Sequence, residues 1–126
     1  MRMVVSSLWD TGRADKLQLI HPYDLDLNND EIVSEVRSIN SSLTEAISHD
    51  IANAGHSVSE EIDTKLGGTD AADVSKLLLV ASLASVPHAT HGLRQNDIIA
   101  FLCAPGRDIS RVKKEIVDYL PSQAWY

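Results

Sequence analysis

Four basic side chains lie close together near the end of the chain, in a pattern suited to binding phosphate. Guanidinium and ammonium groups pair with phosphate oxygens, so a local excess of positive charge favours contact with nucleic acid. Asp108 is the one acid within this stretch. The alternative interpretation is an ordinary solvated helix face. The four candidate DNA-contact residues are Arg107, Arg111, Lys113 and Lys114.

The charge of the chain is unevenly distributed. Residues 1–70 hold 5 Lys/Arg and 13 Asp/Glu, whereas residues 71–126 hold 6 and 5. A nucleic-acid surface is therefore expected in the second part. The net charge of -7 for the whole chain opposes the approach of phosphate, because like charges repel.

A second candidate site is a run of carboxylate and amide side chains spaced like a calcium loop. Their oxygens are ligands that Ca²⁺ prefers, and they match the first, third, fifth, seventh and twelfth positions of such a loop. Pro22 opposes a helix running into the loop, and a helix cap at Asn28 explains part of the same pattern. The candidate ligands are Asp24, Asp26, Asn28, Asp30 and Glu35.

Other reactive residue types form no complete catalytic or metal site. The histidines, including the loose pair His88 and His91, have no cysteine partners at zinc-site spacing. A Gly-x-Ser-x-Gly elbow and a lysine-containing phosphate loop are both absent from the sequence. The sequence therefore predicts that the chain is not an enzyme and holds no cofactor. Cys103 follows an apolar run and is predicted to be a small core residue.

Helical patterns in the first part of the chain must position these residues. Capping boxes are predicted at Asn28, Ser42 and Ser57, each followed three residues later by a glutamate. Apolar residues recur at helical spacing after each cap, and Gly67 and Gly68 close the last helix. A further helix over residues 1–10 has no capping residue.

The second part predicts a central helix followed by two more. Residues 71–85 are apolar nearly all round, which is typical of a buried helix, and Pro87 ends it. Helices are predicted over residues 92–102 and 108–120, and residues 124–126 have the chemistry of a strand. Three compact helices before a strand are typical of a helix-turn-helix or winged-helix unit, with residues 108–120 as its recognition helix.

Composition and these elements together predict the fold class. A chain of 126 residues with 44% hydrophobic residues can bury a substantial core, and no stretch reaches the roughly 20 apolar residues of a membrane span. We expect a cytoplasmic, mainly α, multi-helix bundle with a C-terminal winged-helix-like unit and little or no sheet. Residues 1–66 and 71–126 are the expected subdomains, unless both form one compact domain.

Several stretches resemble one protein family. They are residues 19–28 (LIHPYDLDLN), 49–56 (HDIANAGH), 92–110 and the closing Ala-Trp-Tyr. They resemble the region after the nucleotide-binding core of very large AAA-type P-loop ATPases, encoded beside DNA methyltransferases in bacterial phage-defence islands. The resemblance implies a helical lid over residues 1–66 and the start of a winged-helix domain over residues 71–126.

The resemblance carries no catalytic residue to this chain. The phosphate loop and the acidic magnesium site that define such ATPases are absent from the sequence. Arg94 also stands where winged helices often place a Ser or Thr cap before the second helix. The partners that the resemblance implies are the remainder of a larger ATPase chain or its assembly, and duplex DNA.

Three functions from different classes are compatible with these patterns. The first is a non-catalytic module of a larger ATP-driven, DNA-associated ATPase that contributes packing, coupling or DNA contact. The alternative is a free-standing helical module for protein–protein interaction, with an exposed apolar face on the first helix and a homo-oligomer as one form. The third is a calcium-binding module. The apolar residues expected on that face are Met3, Val4, Leu8 and Trp9.

Overall fold

The computed structural model describes residues 2–83, 93–117 and 120, which are mainly helical. The α-helices are α1 (Arg2–Asp10), α2 (Asp30–Ile39), α3 (Thr44–Ala46), α4 (Val58–Leu66), α5 (Asp70–Ser82) and α6 (Gln95–Leu102). α3 continues as a π-helical turn, Ile47–Ile51, and a second π-helical stretch, Val112–Val117, forms the last helical segment. Short 3-10 turns lie at Ala14–Lys16, Pro22–Asp24 and Ser41–Leu43. No strand occurs in these ranges, which confirms the predicted mainly helical fold.

α5 is the central helix of the fold. It contacts α4, α6, the Pro22–Asp24 turn, the Ile47–Ile51 turn and the last helical segment. Leu79 is fully buried, and Leu78 is only partly buried. The prediction of a central helix is thus confirmed, but the helix ends at Ser82, before the predicted end of the apolar stretch at residue 85, and Pro87 lies outside the described residues. None of the described helices is long and apolar enough to cross a lipid bilayer.

Buried hydrophobic side chains form two cores that share α5. α1, α2 and the Ile47–Ile51 turn build the first core, to which α5 contributes Leu79. α5, α6 and the last helical segment build the second, which also includes Tyr23 and Ile62. Leu79 follows Gly67 in the sequence, whereas the other buried residues of the first core precede it. Tyr23 and Ile62 precede Gly67, whereas the other buried residues of the second core follow it. Each core therefore contains residues from both parts of the chain.

Helix caps follow the sequence closely in one place and depart from it in another. Ser57 and Glu60 form the predicted capping box of α4, and Gly67 ends that helix with the left-handed φ of 72° that favours glycine. The cap of α2 is Asn29 and not Asn28, because the Asn29 side chain accepts the Glu31 backbone N–H. The segment after α2 is likewise capped by Asn40, ahead of the predicted Ser42.

The last described part contains three helices in mutual contact. α5, α6 and the last helical segment touch one another in pairs. Asp108 accepts the Ser110 backbone N–H (2.9 Å). Val112, Ile116 and Leu120 are buried and recur at helical spacing. A helix-turn-helix or winged-helix unit stays a prediction for this part of the chain. The strand predicted over residues 124–126 lies outside the described residues.

Two burial predictions were wrong. Cys103 is exposed, because α6 ends at Leu102 and the chain leaves the helix in an extended conformation at the next residue. The predicted apolar face of α1 is also divided. Val4 and Leu8 are buried in the first core and Met3 packs against it, whereas Trp9 faces outward.

Candidate functional site

The N-terminus of α5 is held by a side chain from the preceding helix. The carboxylate oxygens of Asp63 accept hydrogen bonds from the backbone N–H groups of Ala71 (2.8 Å) and Ala72 (2.9 Å). Burial raises the pKa of Asp63, although these two N–H groups act in the opposite direction. One carboxylate thus satisfies two of the N–H groups that a helix start leaves unpaired.

Arg107 joins the chain after α6 to this same end of α5. Its Nε donates to Asp70 (2.9 Å) and its Nη2 to Asp73 (2.9 Å), with a further bond from Nη2 to Asp70. The guanidinium carbon also lies 5.3 Å from the centre of the Tyr23 ring, within the range of a cation–π contact. The Arg107 side chain is only 16% exposed. This predicted DNA-contact residue is therefore engaged inside the molecule.

The other predicted DNA-contact residues have different surroundings. Arg111 is partly buried, and its Nη2 donates to the backbone oxygen of Leu66 (2.7 Å). Lys113 and Lys114 are exposed at the start of the last helical segment. The fold thus leaves two lysines of the predicted set open to solvent. DNA contact through them stays a prediction.

Most residues of the calcium-like pattern have roles inside the fold. Asp24 accepts the His21 backbone N–H (2.7 Å), and Asp26 accepts the Asn28 backbone N–H (3.1 Å) while lying 3.9 Å from Arg13. Asp30 lies in the first turn of α2, and Glu35 lies later in that helix. In the described part of the chain, no three His, Cys, Asp or Glu side chains are grouped to hold a metal ion.

Asn28 and Glu60 form a clip that the sequence pattern alone does not reveal. The Asn28 amide donates to Glu60 (3.0 Å), and its oxygen accepts the Ala54 backbone N–H (2.7 Å). Glu60 also accepts the backbone N–H groups of Asn53 (2.9 Å), Gly55 (2.9 Å) and Ser57 (3.2 Å). The clip therefore fixes the loop before α4 and ties it to the start of α2.

The clip changes the acidity of Glu60. Partial burial raises its pKa, but the hydrogen bonds from Asn28, Asn53 and Ser57 outweigh burial and lower the pKa to about 2. Hydrogen bonds to a carboxylate favour its ionised form, which is the form that accepts all of these donors. The Glu60 side chain is thus a fixed anion over the physiological pH range.

The histidines do not converge on a metal site in the described residues. His49 Nδ1 lies 2.5 Å from the buried carboxylate of Asp50 on the π-helical turn. His21 stacks on Tyr23 with ring centres 4.7 Å apart and planes 11° from parallel. His88 and His91 lie outside the described residues.

A cleft of about 430 Å³ lies beside the N-terminus of α5. Its lining includes Asp24, Glu60, Asp63 and Asp73, together with Lys76. Each of these four carboxylates accepts hydrogen bonds described above, from a backbone N–H or from a side chain. Their arrangement is accounted for by the architecture of the fold.

A second cleft, of about 510 Å³, lies between α1 and the beginning of α2. Met3 and Ile32 contribute apolar surface to it, and polar side chains form the rest of its lining. Trp9 and Val5 project from the same helix, with 69% and 37% of their surfaces exposed. The residues Arg2, Ser6, Asp10, Asn29, Glu31 and Glu35 also line this cleft, which we call the α1–α2 groove.

Comparison with known proteins gives no relative for this chain. No protein-family model matches it, and neither a curated protein nor a solved structure does so.

The Asn28–Glu60 clip predicts an acid-sensitive contribution to stability. Because folding lowers the pKa of Glu60 from 4.5 to about 2, its ionised form stabilises the fold above about pH 4.5. That contribution is lost as the pH falls toward 2. Glu60→Gln should lower the unfolding free energy at neutral pH by about 1–3 kcal/mol, since the amide cannot accept from all the same donors. Urea unfolding across pH measures both effects.

The exposed neighbour Glu61 provides the matched control for this experiment. Glu61→Gln removes the same charge from α4 and should leave the pH dependence close to that of the unchanged chain. A Glu60→Gln variant that loses as much stability as the unchanged chain between pH 4.5 and 2 would contradict the clip.

Proposed function

We propose that this chain is a non-catalytic helical module that docks another protein against the outer face of α1. The observation that carries the proposal is the exposure of Trp9, which has 69% of its surface in solvent although its helix is anchored in the core by Leu8. Tryptophan is enriched at the centre of protein interfaces, since it offers a large rigid surface. The exposed Val5 lies one turn before Trp9, so both extend the same face.

α1 is suited to this role because one of its sides is packed into the core and the other is exposed to solvent. Val4 and Leu8 fix the helix to the first core, so the outer side chains are held at the surface by a packed support. A partner that covers Trp9 and Val5 removes apolar surface from water at little cost in ordering α1. The docking face is thus preorganised in the free chain.

The setting that we propose is the cytoplasm and a larger ATP-driven, DNA-associated assembly. The resemblance to the region after the core of AAA-type ATPases supports this setting. Within such an assembly, the module would transmit a change of nucleotide state through helix packing. The structural roles of Asp63 and Glu60 favour a non-catalytic module, because these carboxylates cap α5 and hold the loop before α4.

Site-specific photo-crosslinking tests the docking face. A photoreactive phenylalanine analogue placed at Trp9 should give a discrete crosslinked product in cells that make the chain. The same analogue at Lys65, an exposed position in α4, should not give that product. Val5→Asp should reduce the crosslink at position 9, because a carboxylate on the same face opposes burial. Equal crosslinking at positions 9 and 65, or none at position 9, would contradict the proposal.

DNA contact through Lys113 and Lys114 is a second candidate function. Both side chains are exposed, and they follow one another at the start of the last helical segment. Arg107 supports the fold in this arrangement, so its removal is not a suitable test of DNA binding. The exposed lysines are the residues to change.

Fluorescence anisotropy with duplex DNA across a salt series tests this second function. Lys113→Glu/Lys114→Glu should weaken binding and reduce the slope of log affinity against log salt by roughly 2, because two phosphate contacts are lost. Lys16→Glu/Lys65→Glu makes the same change of charge at two exposed lysines elsewhere and is the control. Equal losses in the two variants, or no binding by the unchanged chain, would remove this function.

A further inference from the structure

The α1–α2 groove carries carboxylates without partners in the described structure. Asp10, Glu31 and Glu35 line it and are exposed. Within the described part of the chain, none of their three carboxylates forms an ion pair or accepts a hydrogen bond. Arg2 is the single basic residue among the residues that line the groove. The groove thus presents an excess of negative charge to solvent.

The exposed apolar face of α1 adjoins this charge. Trp9 immediately precedes Asp10 and lies three residues after Ser6, which also lines the groove. Residues three apart are neighbours on a helix surface, so the indole lies beside the groove. A partner that enters the groove can therefore meet carboxylates and the indole together. An indole ring also attracts cations to its face.

We propose that the α1–α2 groove and Trp9 bind a basic amphipathic helix of a partner protein. This inference rests on the proposed docking role of α1 and adds the chemistry of the partner. Arginine or lysine side chains of that helix pair with Asp10, Glu31 and Glu35, while an apolar side chain packs on Trp9. The acidic charge of residues 1–70 steers such a partner toward this part of the molecule.

Charge complementarity selects this occupant over other macromolecules. Nucleic acid and anionic membranes carry phosphate, which the carboxylates of the groove repel. A second copy of the chain would bring the same acidic face, so it would have to dock through a different surface, such as the exposed Lys113 and Lys114. Self-association is therefore measured as a separate outcome.

Binding of a synthetic peptide tests the proposal. The probe is an amphipathic helical peptide with leucine on one face and arginine on its flanks, and its control has glutamate in place of arginine. Trp125→Phe leaves Trp9 as the only tryptophan, so its fluorescence reports binding at α1. The arginine peptide should change the Trp9 emission in a saturable way, and the glutamate peptide should not.

Charge variants then locate the site. Asp10→Asn/Glu31→Gln/Glu35→Gln should weaken binding of the arginine peptide by roughly tenfold, the sum of three exposed ion pairs. Asp15→Asn/Glu45→Gln/Glu61→Gln removes the same charge at exposed positions outside the groove and should change affinity by about twofold or less. Equal weakening by both variants would overturn the groove assignment, since only the net charge would then matter.

The remaining outcomes separate this inference from the proposed function. Crosslinking from position 9 that persists unchanged in the groove variant would overturn the basic partner while leaving α1 as the docking face. Loss of crosslinking at position 9 altogether would remove both. Sedimentation velocity of the unchanged chain and of Trp9→Ala tests whether a second copy of the chain binds to this face. A dimer that Trp9→Ala dissolves, without peptide binding, would assign the face to self-association and overturn the inference.

Discussion

The contact between Arg107 and the beginning of α5 is the constraint on which the rest of the structure depends. One guanidinium pairs with Asp70 and Asp73 and lies against Tyr23, so it joins the chain after α6, the central helix and the first part of the chain. Asp63 caps the same helix end from α4. Because α5 contributes to both hydrophobic cores, fixing its N-terminus also fixes how the two cores meet.

This constraint divides the charged residues into two groups. Arg107, Asp63 and Glu60 are partly or largely buried, and each has hydrogen-bond partners within the fold. Changing them therefore alters stability before it alters any binding. Lys113 and Lys114 at one place, and the carboxylates of the α1–α2 groove at another, face solvent. Functional contacts are proposed at the second group, because a partner can reach those side chains without disturbing the fold.

Local patterns predicted most of the helical architecture, and long-range contacts account for what they missed. The Ser57 cap, the Gly67 terminus and the buried α5 all depend on residues within a few positions of one another. Asn28 departs from its predicted role because its partners, Glu60 and Ala54, are distant in sequence. The same holds for Arg107, whose basic character alone suggested phosphate contact. Cys103 was misassigned because it follows the last helical residue, where the chain turns into an extended conformation, so the apolar run before it does not carry its side chain into the core.

A double-mutant cycle on Arg107 and Asp73 tests the central constraint most directly. The unfolding free energies of Arg107→Gln, Asp73→Asn and the double variant are measured by urea denaturation. Arg13→Gln and Asp26→Asn serve as a comparison pair, 3.9 Å apart and more exposed. We expect a coupling of about 1–3 kcal/mol between Arg107 and Asp73 and about 0.5 kcal/mol or less between Arg13 and Asp26. Additive effects of Arg107→Gln and Asp73→Asn would contradict it.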